Sequence, residues 1–204
     1  MKLSRFAILT AILSLAVSAF PADKNEKVEK KLSRAEVAFQ HQDFYNAEKL
    51  IRDAIKDDPS SIEAHSMLAN LLSATRRYSQ AAPEYGRVLE LDAQQKLLSP
   101  ADKRRAIDGQ AVSYAEIGQL DRAKSLYLAA LKDDPDYAMY NYNLACVYAE
   151  QHDLNSALPY LKKSWEKRNT MPADMKFPDP RQDSSFSAYR DDPKFQETVR
   201  NMVQ

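Results

Sequence analysis

Alanines recur along the chain in two series that share the same spacing. The first series, separated by 34, 42 and 34 residues, comprises Ala35, Ala69, Ala111 and Ala145. The second keeps those spacings twelve residues later, at Ala47, Ala81, Ala123 and Ala157. Apolar residues follow the alanines after three or four positions, which is the period of one face of an α-helix. The pattern predicts four copies of a helix pair, with small residues where the two backbones approach.

The longer middle spacing indicates an insertion between the second and third copies. The predicted copies are residues 28–61, 62–95, 104–137 and 138–169, with the insertion at 96–103. One helix pair cannot bury its apolar face alone, so we expect the copies to stack. Residues 170–204 begin as a proline-containing extended connection and then regain apolar spacing. They predict a C-terminal segment that caps the last copy; a tail that binds another molecule is the alternative.

Acidic pairs precede prolines at equivalent places in the first and third copies, in the sequence Lys-Asp-Asp-Pro. A calcium site needs several converging oxygen ligands, which two adjacent aspartates do not provide. We therefore predict that Asp58 and Asp134 are helix N-caps, each followed by a proline at the first helical position. The same interpretation applies to Ser99 and Asp192, which also precede prolines.

The N-terminus has the pattern of a secretory signal. Lys2 and Arg5 precede the apolar run Phe6–Val17, and small residues follow at Ser18 and Ala19. The run is shorter than the roughly 20 residues of a membrane span. The sequence predicts a signal peptide at 1–19, a lead-in at 20–27 and no membrane insertion after cleavage. We expect export to the bacterial periplasm; the alternatives are secretion or tethering by an uncleaved signal.

Charge and reactive residues exclude several classes of function. The chain has 29 basic and 29 acidic residues, so nothing indicates a nucleic-acid partner. Cys146 is the only cysteine, and its apolar neighbours predict a buried, inert thiol. The histidines, at positions 41, 65 and 152, lack metal-ligand spacing. No phosphate loop or nucleophile motif is present. We predict no catalytic residue, metal or cofactor, and no enzyme.

The 34-residue period, the spacing of small residues and the closing proline resemble the tetratricopeptide repeat over residues 28–169. The third copy matches best, through Ala111, Tyr114, Gly118, Ala123 and Pro135. No copy has the tryptophan that can open the family pattern. The resemblance implies an all-α fold, a right-handed α-solenoid of four tetratricopeptide-like helix pairs plus a C-terminal capping helix.

The resemblance also implies a function. In this family the first helices of the pairs line a concave groove that receives a peptide or a segment of another protein. Carried over residue by residue, the groove would present Glu36, Phe39, Ser66, Asn70, Arg105, Asp108, Met139, Tyr142 and Asn143. We therefore expect a non-catalytic interaction scaffold or adaptor in the cell envelope. The alternative is a regulatory subunit or small enzyme that acts through the C-terminal segment.

Overall fold

The structure is a computed structural model that describes residues 22–172, 175–200 and 202. All regular elements of these residues are helical, which confirms the predicted fold class. The α-helices are α1 (Ala22–Gln40), α2 (Phe44–Asp57), α3 (Ile62–Ala74), α4 (Tyr78–Gln95), α5 (Pro100–Glu116), α6 (Leu120–Asp133), α7 (Ala138–Glu150), α8 (Leu154–Glu166) and α9 (Pro193–Val199). Short 3-10 helices lie at Arg168–Thr170 and Ser184–Tyr189. The predicted signal segment, 1–19, lies outside the described residues.

Two compact units make up the chain, and their boundary falls within α5. The N-terminal unit ends at Gln110, and the C-terminal unit begins at Ala111. In the N-terminal unit α1 packs on α2, α2 on α3, and α3 on α4. In the C-terminal unit α6 packs on α7, and α7 on α8. Three of the helix pairs that the periodicity predicts, α1–α2, α3–α4 and α7–α8, are therefore packed together.

The alanines of both series are the contact points of these pairs. All eight are fully buried, with a relative exposure of 0%. An alanine side chain lets two backbones approach closely, and a larger side chain at such a position would overpack the contact. The burial expected of both series is confirmed in all four copies.

Each helix pair turns through one residue with left-handed backbone. These residues have φ between 60° and 78° and keep the spacing of the alanine series: Gln42, Arg76, Gly118 and His152. The following amide donates to a carbonyl five residues earlier, as in Asp43 to Ala38 at 2.8 Å. This bond closes the first helix in the manner of a Schellman motif. Only one of the four turns uses glycine, the residue that adopts this conformation without strain.

The aspartate–proline pairs of the first and third copies end helices rather than begin them. Asp58 is the C-cap of α2, with φ −138° and ψ 94°, and Asp134 is the C-cap of α6, with φ −135° and ψ 67°. A proline disfavours helical backbone at the residue before it, which explains why both helices stop here. The N-caps of α3 and α7 are instead Ser61 and Tyr137. The predicted N-cap role of the two aspartates is therefore wrong, although both do lie at a boundary between helices.

The other two predicted caps are confirmed. Ser99 accepts a hydrogen bond from the amide of Asp102 in the first turn of α5. Asp192 is the N-cap of α9 and accepts from the amides of Lys194 and Phe195. Both side chains satisfy amides that have no partner within their own helix.

The extra residues between the second and third copies lengthen two helices. Asp92 occupies the same repeat position as Asp58, but no proline follows it, so α4 continues. Helix α4 has 18 residues where α2 has 14, and α5 has 17 where α3 has 13. The connection stays four residues long, from 96 to 99. The insertion is therefore about one turn in each helix rather than a block at 96–103.

Candidate functional site

One face of the N-terminal unit is formed by α1 and α3. Glu63, Ser66 and Asn70 follow one another on α3 at helical spacing, so they lie on one side of that helix. The carboxylates of Glu29 and Glu36 on α1 act electrostatically on Glu63, which places this side of α3 beside α1. We call the following residues the front face: Glu29, Glu36, Glu63, Ser66 and Asn70. Phe39, also predicted for the groove, is partly buried and lies one turn beyond Glu36 on α1.

The Asn70 side chain is held in one orientation by Tyr85 of α4. The Tyr85 hydroxyl donates to Asn70 Oδ1 at 2.8 Å, so the amide NH₂ group remains as the donor for other contacts. Burial raises the pKa of Tyr85, and the nearby Asp108 carboxylate raises it further, which keeps the hydroxyl protonated. A Cβ atom at Gly109 would collide with the Tyr85 ring, so glycine leaves room for the ring.

Glu63 is a partly buried carboxylate with carboxylates around it. Burial raises the pKa of Glu63, and Glu29 and Glu36 raise it further. These carboxylates form no hydrogen bond or ion pair with the side chains that the structure describes. Desolvation and like charge both disfavour the ionised form of Glu63.

The predicted groove residues of α5 make contacts within the N-terminal unit. Arg105 forms an ion pair with Asp102, one turn earlier on α5. The buried Nε atom of Arg105 has no hydrogen-bond partner in the described chain. Asp108 acts on the Tyr85 hydroxyl, as described above.

The three groove residues predicted on α7 are buried in the C-terminal unit. Met139, Tyr142 and Asn143 have relative exposures of 3%, 0% and 0%. The Tyr142 hydroxyl donates to Asp183 Oδ2 at 2.9 Å. The Tyr142 ring meets Phe177 and Phe186 edge-on, at centroid distances of 5.5 and 6.5 Å. We call residues 177–186 the covering segment, because Asp183, Phe177 and Phe186 in it contact the buried Tyr142.

Asp183 is the polar centre of the covering segment. Burial raises the pKa of Asp183, although its carboxylate accepts from the Ser185 amide at 2.9 Å. The Cys146 thiol lies 3.8 Å from Asp183 Oδ2. Cys146 is fully buried, which confirms the predicted burial, and burial raises the pKa of its thiol.

The sequence analysis did not identify Asp183. The run Asp183-Ser184-Ser185 is a helix-start signal, and Asp183 is indeed the N-cap of the second 3-10 helix. Its bond to Tyr142 spans 41 residues, however, and no local pattern indicates such a contact.

The rest of the C-terminal segment packs on α8. Helix α9 contacts α8, and Phe195 stacks on Phe186 with ring centroids 5.3 Å apart. Phe195 and Val199 are both buried. Phe177 also meets Trp165 of α8 edge-on, at 5.1 Å. The C-terminal segment therefore covers α7 and α8 of its own chain.

Within the part of the chain that the structure describes, no three histidine, cysteine, aspartate or glutamate side chains come together as metal ligands. None of the described helices combines the length and apolar character of a membrane span.

Known proteins resemble this chain in sequence and in fold. A family model described as the tetratricopeptide repeat matches residues 32–96 and 109–170, more than half of the chain. The uncharacterized protein y4yS of Sinorhizobium fredii (strain NBRC 101917 / NGR234) is 31% identical over 97 residues. That stretch is 48% of this chain and 49% of y4yS, so the match spans about half of the relative.

Solved structures of MamA share the fold. MamA of MSR-1 aligns with a TM-score of 0.60 and 21% identity, over 74% of this chain and 81% of its own. MamA from Desulfovibrio magneticus RS-1 aligns with a TM-score of 0.60 and 18% identity, over 72% of this chain and 78% of its own. At such identities the likeness concerns the fold alone. With the family match over both halves and the buried alanine series, the chain belongs to the tetratricopeptide repeat family of protein-interaction scaffolds.

Proposed function

We propose that this protein is an exported adaptor that binds a segment of a partner protein on the front face and has no catalysis of its own. The observation that carries the proposal is the difference between the two predicted binding surfaces. Glu36 and Asn70 of the front face are partly exposed, whereas Tyr142 of α7 is fully buried and bonded to Asp183 of the covering segment. The binding role therefore belongs to the N-terminal unit.

The side chains of the front face suit a polypeptide ligand. Asn70 offers an oriented amide donor, which can bind a backbone carbonyl of an extended segment. Phe39 is a partly buried aromatic ring at the end of the same face, and such rings are common anchors in interfaces. The described contacts of the C-terminal segment are packing contacts with α7 and α8, so no specific observation favours the alternative function of that segment.

Export rests on the charge and hydropathy pattern at the N-terminus. Lys2, Arg5 and the apolar run to Val17 support a signal, and the small Ala19 supports cleavage after it. Cell fractionation, with mass spectrometry of the mature N-terminus, tests this part of the proposal. We expect an envelope protein that begins at Phe20; a cytoplasmic protein that retains Met1 would contradict export.

A photo-crosslinking experiment tests the binding face. Benzoylphenylalanine is introduced at Phe39, and in a matched variant at Tyr45, which is 79% exposed at the start of α2. Both proteins are irradiated in the intact envelope and the products are identified by mass spectrometry. We expect a specific partner from position 39 and none from position 45. Equal products from both positions, or none from position 39, would overturn the assignment.

A further inference from the structure

The first helix pair has a groove between α1 and α2. The groove has a volume of about 640 Å³, and its lining includes Arg34, Val37 and Ala38 of α1 with Lys49 and Leu50 of α2. We call these five residues the end groove. Ala38 and Leu50 are partly buried and pack against the core of the N-terminal unit. They therefore form an apolar floor that continues this core to the surface.

Val37 is exposed at a repeat position that is buried in every other copy. At the spacings of the alanine series, the equivalent residues are Leu71, Ser113 and Val147. Their relative exposures are 1%, 0% and 0%, whereas that of Val37 is 53%. The exposure of this position is thus particular to the first copy.

A helix covers the equivalent surface in the second copy. Helix α2 packs on α3, the helix that carries Leu71, and α6 packs on α7 in the same order in the fourth copy. Leu68 and Leu72 correspond to Arg34 and Ala38, and both are buried with Leu71 in one core cluster. No described helix precedes α1. The first copy therefore presents a surface on which the repeat elsewhere packs a helix.

Positive charge borders the end groove. Arg34 and Lys49 are exposed at its rim, and Lys30 is exposed one turn before Arg34 on the same side of α1. None of these three cations forms an ion pair or hydrogen bond with the side chains that the structure describes. Lys49 acts electrostatically on Asp53, but that carboxylate already pairs with Lys56 at 2.9 Å. The rim therefore favours an acidic partner.

Shape and charge distinguish among the candidate occupants of the groove. A membrane surface would meet the charged rim but not the partly buried floor, whereas a ridge of side chains on a helix fits a groove between two helices. Two copies of this chain placed face to face would bring their Arg34 and Lys49 side chains together, which like charge disfavours. An amphipathic helix with apolar residues three and four positions apart and acidic residues beside them matches both the floor and the rim.

We propose that the end groove binds an acidic amphipathic helix of a partner protein, which packs on the first helix pair as α2 packs on α3. Its apolar side chains contact the floor, and its carboxylates pair with Arg34 and Lys49. This site is separate from the front face, because Glu36 lies about half a turn around α1 from Arg34 and Ala38. The protein thereby has two docking surfaces, one for an extended segment and one for a helix.

Fluorescence anisotropy with labelled helical peptides of about 20 residues tests the proposal on the protein that begins at Phe20. One peptide carries leucines three and four positions apart with glutamates beside them, and the second carries lysines in place of the glutamates. A third has the composition of the first, with the leucines spread around the helix. We expect binding of the first peptide only, with an affinity that falls as salt is added. Equal binding of any two peptides, or binding of none, would overturn the proposal.

Two double variants with the same change in net charge make the test specific. The first is Arg34→Glu, Lys49→Glu; the second is Lys103→Glu, Lys162→Glu, which changes exposed cations away from the end groove. We expect the first to weaken the glutamate peptide about tenfold and to bind the lysine peptide instead, since two attractive pairs become repulsive. The second should bind like the unmodified protein. Equal losses in both variants would show attraction by net charge alone and reject the site.

The exposed Val37 side chain tests the apolar half of the contact. Val37→Ala should weaken the glutamate peptide about threefold at every salt concentration, because apolar contact is lost while the rim charges remain. Circular dichroism should show an unchanged helix content, since Val37 is largely exposed in the unbound protein. An unchanged affinity would place the peptide elsewhere and reject the groove.

The other occupants have outcomes of their own. Analytical ultracentrifugation of the protein with and without Val37→Glu tests for a second copy, and sedimentation with phosphatidylglycerol vesicles tests for a membrane surface. We expect no effect of Val37→Glu in either measurement. A dimer that this change dissociates, or vesicle binding that it abolishes, would assign the groove to that occupant and reject the helix.

The crosslinking experiment keeps this inference separate from the proposed function. Tyr45, its control position, is not among the residues that line the groove and lies about 140° around α2 from Leu50. Peptide binding at the end groove without any product at Phe39 would reject the front face and leave the helix site intact. A product at Phe39 without peptide binding at the end groove would do the reverse.

Discussion

Two equivalent surfaces of this repeat protein have opposite chemistry. Glu63, Ser66 and Asn70 of α3 lie 76 residues before Met139, Tyr142 and Cys146 of α7, so the two sets occupy the same repeat positions. The α3 set is acidic and polar, and Glu63 and Asn70 in it are partly exposed. The α7 set is larger and more apolar and is buried, with Tyr142 and Cys146 against Asp183 of the covering segment. The repeat position alone does not decide whether a residue binds a partner or packs within the chain.

Removing the Phe186 ring should give the largest difference in unfolding free energy between the two surfaces. Phe186 is fully buried against Tyr142, so Phe186→Ala should cost about 3–5 kcal/mol of unfolding free energy. Phe39→Ala, on the partly exposed ring near the front face, should cost under about 1 kcal/mol. Urea unfolding followed by Trp165 fluorescence measures both, since Trp165 is the only tryptophan and contacts Phe177. Equal costs would mean that the covering segment contributes no more than a surface contact.

Enlarging a buried alanine of either series should lower stability by a similar amount in both units. This cost is the reference for comparing the two units. Ala123→Leu should overpack the fully buried contact of α6 and cost about 1–3 kcal/mol. Ala129→Leu, on the exposed side of the same helix, is the matched control and should be nearly neutral. Thermal unfolding measures both variants. A melting temperature of Ala123→Leu that equals that of the control would contradict the close approach of the helices.

The turns of the two units differ in how they accommodate left-handed backbone. Gly118→Ala in the C-terminal unit should cost about 1 kcal/mol from backbone strain alone, because no atom lies within 4 Å of the added Cβ. Gln42→Gly in the N-terminal unit should gain about 0.5 kcal/mol, as relief of strain exceeds the added chain entropy. Chemical denaturation measures both changes. A loss of stability in Gln42→Gly would show that its side chain contributes more than its backbone costs.

The pH dependence of stability should give the smallest difference. Burial raises the folded-state pKa of Asp183 above its unfolded value of about 3.9. The folded state therefore binds the proton more tightly, so this contribution is fully present below pH ~3.9 and is lost as pH rises through the folded pKa. Asp183→Asn should remove that slope from the unfolding free energy of the C-terminal unit, and Glu63→Gln is the matched test in the N-terminal unit. Unchanged slopes in the variants would mean that neither carboxylate is desolvated.

The helix pairs could be predicted from sequence because their signals are local. The alanine series and the three-to-four residue apolar period specify which residues face one another within about 30 residues of chain. Whether an aspartate before a proline ends a helix or begins one could not be predicted from sequence. The same residue pair occurs at the end of α2 and at the start of α9. The backbone geometry makes Asp58 a C-cap and Asp192 an N-cap.

The candidate site was predicted in part. Glu36, Ser66 and Asn70 lie on one face, as the resemblance implies, and their binding role stays a prediction. The burial of Tyr142 depends on contacts with residues more than 30 positions away, which periodicity does not specify. The large apolar side chains at the α7 positions were nevertheless a readable signal, because a tyrosine and a methionine in place of a serine and a glutamate favour burial.

The labelling rate of Cys146 can report on opening of the covering segment. The thiol is the only one in the chain and lies beneath Asp183, so a thiol-specific reagent reaches it only in molecules whose covering segment has lifted. When opening and closing are fast, the labelling rate reports the equilibrium between the closed and open forms. The proposed export makes the same measurement applicable to intact cells, with a thiol reagent that enters the envelope.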